Sequence, residues 1–195
     1  MSEASSNTTS AKNRKWLTYL IRGVMGLVIA TSLIQKFLNP EKPSNYPIYM
    51  GVYFLANGVL SLKEARTPPL KGRRPILAAL ASIIGGLLLV IGFPLYNQAL
   101  ISTDVFTYVF AAIVIVIGLL QAHHAVHMTP HPILKRAHLV FGFLEILLGV
   151  VIIAFTIDWQ ADAVALVWVL LVSIYMFYVA HVLRTNSLRR PTPAE

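Results

Sequence analysis

Six long apolar stretches, separated by short polar connections, constrain the fold of this chain more than any other feature. Each stretch is near the roughly 20 residues that a helix needs to cross the hydrocarbon core of a bilayer. A segment in lipid must satisfy its own backbone hydrogen bonds, so runs this long and continuously apolar predict helices rather than barrel strands. The stretches run Trp16–Leu38, Tyr46–Ala65, Pro75–Tyr96, Thr103–Ala122, Ile133–Ile157 and Ala163–Leu183.

The composition also favours a membrane location. Of the 195 residues, 56% are hydrophobic and 12% are charged, whereas a soluble domain carries roughly a quarter charged residues. The first fifteen residues are polar, and the apolar run after them is too long for a signal-peptide h-region, so we expect no signal peptide. We predict an all-α protein with a polar cytoplasmic tail over 1–15, a six-span membrane domain over 16–184 and a cytoplasmic tail over 185–195.

The basic residues divide unevenly between the two sides that six spans create. Of the sixteen lysines and arginines, thirteen fall on one side, Lys36 and Lys42 fall on the other, and Arg22 lies within the first span. This bias predicts that the basic side, with both termini, is cytoplasmic. We interpret the net charge of +8 as a topology signal. Contacts with anionic lipid headgroups are a further expectation, and nucleic acid is not an expected partner.

The six stretches form three units of about sixty residues each, a period typical of internal repeats. In the first, third and fifth stretches, a glycine follows four residues after Arg22, Ser82 or Glu145. We therefore predict a six-helix transmembrane bundle built from three tandem helical hairpins, related by a pseudo-axis along the membrane normal. Glycines seven residues apart, such as Gly142 and Gly149, predict faces where helices pack closely.

Charged residues within the spans are the first candidates for function, because an ionisable group at membrane depth usually faces the bundle interior. Glu145 shares a helical face with Gly142 and Gly149. From the repeat we predict that Arg22, Ser82 and Glu145 form one polar locus. Three roles stay open for Glu145: a protonated hydrogen-bond donor, an ion pair with Arg22, and a group that exchanges protons. Arg22 is also shallow enough to extend to the membrane interface.

A histidine-rich segment follows the fourth stretch and holds His123, His124, His127 and His131, with His138 beyond it. We predict a polar cytoplasmic loop, with pH response and metal binding as the alternatives. No cysteine or nearby carboxylate completes a metal site, so we expect neither metal nor cofactor. The chain also lacks a P-loop, a G-x-S-x-G motif and a dinucleotide fingerprint. These absences predict that the protein is not an enzyme.

Three glycine-punctuated segments carry a resemblance to a known family: Gly51–Arg66, Ala81–Pro94 and Val140–Val151. Through them the chain resembles the HdeD-like family of bacterial acid-resistance membrane proteins, over Trp16 to Arg184. The resemblance implies a six-span protein of the bacterial inner membrane, connected with survival under acid stress, and it supplies no catalytic or binding residues. The chain departs from the family pattern in its histidine-rich segment and in its fifth helix, which no proline closes.

We therefore expect a non-enzymatic inner-membrane protein that acts in acid or general stress resistance. One alternative is a small transporter or channel whose polar pathway runs along Arg22, Ser82 and Glu145. The other is a scaffold that binds another membrane protein, or a second copy of itself, through its glycine faces. Flux in proteoliposomes would favour the transporter, and co-purification of one stoichiometric partner would favour the scaffold.

Overall fold

The six apolar stretches are six helices. The structure of the protein, a computed structural model, describes residues 15–39, 41, 46–66, 73–98, 100–127, 132–154 and 158–188. The all-α prediction is confirmed, and no residue in these ranges belongs to a strand. The helices are α1 (Lys15–Leu38), α2 (Tyr46–Ala65), α3 (Arg73–Asn97), α4 (Thr103–Val126), α5 (Pro132–Ala154) and α6 (Asp158–Leu188).

Several helices extend beyond the apolar stretches that predicted them. α4 continues to Val126, so His123 and His124 lie in its last turn and not, as predicted, in a loop. α6 is 31 residues long and extends past both predicted ends. A helix need not end where the hydrocarbon ends, because water can bond the exposed backbone groups of its last turns. Residues 155–157, which the prediction included in the fifth helix, lie outside the described residues.

The helices form a closed ring in chain order, in which each helix contacts the next and α6 contacts α1. The most extensive contacts are between α2 and α3, between α4 and α5, and between α6 and α1. The contacts within the tandem hairpins α1–α2, α3–α4 and α5–α6 are less extensive. The tightest packing is therefore between successive hairpins. The alternation of more and less extensive helix contacts is the one expected of three repeats related by one axis.

Glycines bring the most closely packed helices into backbone contact. A Cβ atom added to Gly118 of α4 would lie 2.6 Å from the carbonyl oxygen of Gly142 on α5, and the reverse distance is 2.7 Å. Gly51 of α2 and Gly86 of α3 face each other in the same way, at 3.0 and 2.6 Å. Close backbone packing of this kind holds helices together in lipid, where burial of apolar surface gives little driving force. The packing role predicted for Gly142 is confirmed.

Candidate functional site

All three residues of the predicted polar locus lie inside the bundle. Arg22, Ser82 and Glu145 are 2%, 1% and 0% exposed. Each lies four residues before a glycine at which its helix packs closely against α6, α2 or α4. Equivalent residues of the three sequence repeats therefore lie at equivalent positions in the ring of helices. The Arg22 side chain is thus enclosed by the helices.

The guanidinium group of Arg22 faces α2. Its Nη2 atom donates hydrogen bonds to Glu64 Oε2 at 3.0 Å and to Ser61 Oγ at 2.9 Å. Its Cζ atom also lies 5.2 Å from the centre of the Tyr19 ring, within the range of a cation–π contact. The structure therefore pairs Arg22 with Glu64, and the alternative of an Arg22–Glu145 ion pair is wrong. The two helices that hold this pair, α1 and α2, belong to one hairpin.

Glu64 is a site residue that the sequence analysis missed. It is the second-to-last residue of α2. In the sequence it lies among charged residues that are typical of a polar connection between helices. A signal was nevertheless present, since Tyr53, Asn57, Ser61 and Glu64 follow i, i+4, i+8, i+11 spacing. Residues so spaced lie on one helical face. In the structure Tyr53 and Asn57 are buried, and this face of α2 points into the bundle.

Glu145 is bonded through one oxygen atom. Gln121 of α4 donates a hydrogen bond from Nε2 to Glu145 Oε1, at 3.3 Å. The other carboxyl oxygen, Oε2, has no hydrogen-bond partner in the part of the chain that the structure describes. The same holds for three further buried atoms, Arg22 Nε, Tyr53 Oη and Asn57 Nδ2. Leaving such an atom unbonded costs roughly 1–3 kcal/mol, so each of these atoms would be stabilised by a small polar partner such as water.

A small cavity lies beside Ser61 and Gln121, which are bonded to Arg22 and Glu145. Its volume is about 20 Å³, which exceeds the roughly 10–15 Å³ that one buried water molecule needs. Ser82 donates from Oγ to the carbonyl oxygen of Phe54, at 2.8 Å, so α3 is held against α2 beside the cavity. We call the six polar side chains that line it the polar cluster: Ser61, Glu64, Ser82, Gln121, His124 and His138.

The structure divides the predicted histidine group. His124 and His138 line the cavity, with their rings 5.8 Å apart, and Tyr19 Oη lies 3.4 Å from His138 Nε2. His123 and His127 are exposed at the end of α4. His131 lies outside the described residues. Within the described ranges, no three His, Asp or Glu side chains are grouped so that they could hold a metal ion.

A cluster of buried rings lies on the other side of the interior. The Trp168 ring is 5.7 Å from that of Tyr53, 6.0 Å from that of Phe54 and 6.3 Å from that of Phe141. Phe54 also contacts Phe110, at 6.5 Å. We call these five residues the aromatic cluster. On α2 and α4 it occupies the N-terminal half, and the polar cluster occupies the C-terminal half. We call these two parts of the interior the polar half and the aromatic half. On α5 they are less separate, because Phe141 lies between His138 and Glu145.

Comparison with known proteins finds a similarity over the middle of the chain. Residues 83–154 match a family described as a short repeat of unknown function (DUF308). The matched segment contains most of α3 and all of α4 and α5, and so includes Gln121 and Glu145. No curated protein and no solved structure gives a significant match. Over these residues the chain is thus similar to a repeat family, in accord with the threefold pattern of its sequence.

Proposed function

We propose that the chain is a multi-pass protein of the bacterial inner membrane, of the HdeD-like kind, with both termini in the cytoplasm. Five of the six helices, all but α2, are long and apolar enough to cross a membrane. The repeat-family match over residues 83–154 supports membership of this kind of protein. The bias of basic residues toward one side supports the orientation.

The contacts of α2 support it as the sixth span. Its polar residues lower its hydropathy, but Asn57 is buried within the bundle, and Ser61 and Glu64 line the internal cavity. Val52 and Val59, by contrast, are 50% and 59% exposed. A spanning helix needs apolar side chains toward lipid and tolerates polar ones toward its neighbours. The ring also places α2 between α1 and α3, both of which are long enough to span.

We further propose that the protein acts without catalysis in resistance to acid or general stress, by changing its helix packing when carboxyl groups inside the bundle take up protons. The supporting observation is the pair of carboxyl groups inside one bundle, Glu64 on Arg22 and Glu145 beside Gln121. A proton on Glu64 removes the anionic partner of Arg22. The buried guanidinium then lacks its counter-charge, an arrangement costly enough to favour a shift of α1 against α2.

Survival after an acid challenge tests this function. A deletion strain would carry the wild-type gene, Glu64→Gln, Glu145→Gln or an empty vector, with membrane levels compared by immunoblot. Glu41→Gln is the matched control, because Glu41 is an exposed carboxylate between α1 and α2. We expect the wild type and the control to rescue survival, and the two buried-site variants to rescue less at equal abundance. Equal rescue by all four proteins would refute a role for the buried carboxyl groups.

A proton or small-cation pathway is the second candidate, favoured by the polar cavity. The cavity volume of about 20 Å³ restricts the passing species to the size of water. This candidate predicts flux in proteoliposomes that is lost when Arg22 or Glu145 is replaced. The aromatic cluster counts against a continuous pathway in the conformation described, because its rings fill the interior beyond the polar half.

A further inference from the structure

We propose that the polar cavity is a water path that is open at one end only. It leads protons to Glu145 from the end of the bundle where α2 and α4 finish. The aromatic cluster closes it toward the opposite end. This inference rests on the proposed function, since it supplies the route by which the buried carboxyl takes up a proton. It assigns a site for water and hydronium. It also explains why one half of the interior is polar.

The outer part of the path lies at the ends of two helices. Glu64 is one residue from the end of α2, and His124 is two residues from the end of α4. The Glu64 side chain retains 11% exposure, although it bonds the buried Arg22. The cavity therefore begins near the bundle surface at this end. Its volume of about 20 Å³ accommodates water and excludes larger solutes.

The inner part of the path leads from the cavity to Glu145. Gln121 lines the cavity and also donates to Glu145 Oε1, so its side chain joins the two. Beyond it lie Glu145 Oε2, Arg22 Nε, Tyr53 Oη and Asn57 Nδ2, which have no hydrogen-bond partner among the described residues. Arg22 and Tyr53 lie within electrostatic range of Glu145. Water that enters from the cavity meets donors and an acceptor to which it can bond.

Five of the six helices bring titratable groups toward this path. The sixth, α3, lines the cavity with the hydroxyl group of Ser82. A proton that enters from the cavity meets Glu64 and the two histidines before it reaches Glu145. The groups on the other helices are Tyr19 and Arg22 on α1, Tyr53 and Glu64 on α2, His124 on α4, His138 and Glu145 on α5, and Tyr175 on α6.

The opposite end of the interior offers water few partners. The Phe54 ring lies 6.5 Å from the ring of Phe110 and 6.0 Å from that of Trp168, and all three are buried. The Trp168 indole N–H is already bonded to the carbonyl oxygen of Leu144, at 3.1 Å. In the first half of α4, Thr107 is the one buried polar side chain described. A proton or water would cross this half with few hydrogen bonds, which is costly.

Silver ion, a thiol-binding probe of about the size of water, tests the path in the intact chain. The chain has no cysteine, so each single-cysteine variant reports on one position. Ser61→Cys and Glu145→Cys place thiols along the path. Leu148→Cys is the matched control, since it lies on the same helix as Glu145 and is 2% exposed. Vesicles of each orientation are treated with silver, denatured in detergent and alkylated with a maleimide, and the mass of the chain gives the fraction protected.

Two exposed positions identify the faces independently of any assumed topology. His127→Cys marks the end where α4 finishes, and Leu100→Cys marks the opposite end. An impermeant maleimide is expected to label them from opposite faces. We expect silver to protect Ser61→Cys and Glu145→Cys at least tenfold faster from the His127 face than from the Leu100 face, with Leu148→Cys slow from both. Equal rates from both faces, or rates at Glu145→Cys no faster than at Leu148→Cys, would overturn the path.

The outcomes separate the path from the proposed function. Silver access to Glu145→Cys, combined with full acid survival of the Glu145→Gln strain, would keep the path and refute the function. A survival defect of that strain without silver access would keep the function and refute the path. Should Glu145→Cys fail to accumulate in membranes, Ser61→Cys decides the question of sidedness, because serine to cysteine is a small change in side-chain size.

Discussion

The two halves of the interior are built on the same helices but are stabilised in different ways. In the aromatic half, rings from α2, α4, α5 and α6 fill the space and carry no charge. In the polar half, an ion pair and several hydrogen bonds join the helices around a cavity, and some polar atoms lack a partner among the described residues. The comparison teaches that one end of the bundle is held by closely packed rings. The other end is held by charges and hydrogen bonds around a cavity large enough for water.

The largest effect is expected in the aromatic half, from Trp168→Ala. This change removes ring contacts with Tyr53, Phe54 and Phe141, together with the bond to Leu144, and truncations of this size cost about 3–5 kcal/mol. Unfolding by denaturing detergent measures the loss. Tyr178→Ala is the control with little effect, because Tyr178 is 62% exposed. Equal losses from the two variants would show that packing of the aromatic cluster does not stabilise the bundle.

A somewhat smaller loss is expected in the polar half, from Arg22→Met. It removes the guanidinium that bonds Glu64 Oε2, and breaking a buried pair from one side costs about 3 kcal/mol. The double variant Arg22→Met/Glu64→Leu is expected to recover most of that stability, because replacing both partners leaves no charge behind. A double-mutant cycle in the same unfolding assay measures the coupling. Additive losses would mean that the two side chains do not act as a pair.

Glu145→Gln is expected to change stability by less than about 1 kcal/mol, because the amide oxygen still accepts the bond from Gln121. Its effect would instead appear in acid survival and in proton access. This variant therefore sharpens the comparison, since it alters the chemistry of the polar half with little change in packing. A loss as large as that of Trp168→Ala would show that Glu145 serves mainly to hold α5 in place.

The smallest effect is expected from Tyr19→Phe. The hydroxyl lies 3.4 Å from His138 Nε2, a long hydrogen bond, and its removal should cost about 0.5 kcal/mol. The ring remains under the guanidinium of Arg22, so the cation–π contact is kept. A thermal unfolding comparison in detergent would detect a larger loss, and that result would mean that the Tyr19–His138 contact stabilises the packing of α1 against α5.

Much of the fold could be read from local patterns. The length of each apolar run gave the number of helices, and the i, i+4, i+7 spacing around Glu145 gave the face that the structure buries. Helix ends were less certain, as the extension of α4 through His123 and His124 shows, because hydropathy reports the depth of the lipid and not the end of hydrogen bonding. The polar face of α2 had the same periodic signal and was overlooked, since Glu64 lies among charged residues at the helix end.

The sequence by itself determined which residues each helix turns inward, because helical spacing is a local property of the chain. It predicted that Arg22, Ser82 and Glu145 face the interior, and the structure buries all three. Only the tertiary structure decided which inward faces meet: Arg22 with Glu64, Glu145 with Gln121, and α6 with α1. Those pairings depend on the order of helices around the ring and on the register that the glycine contacts allow, and no local spacing encodes either.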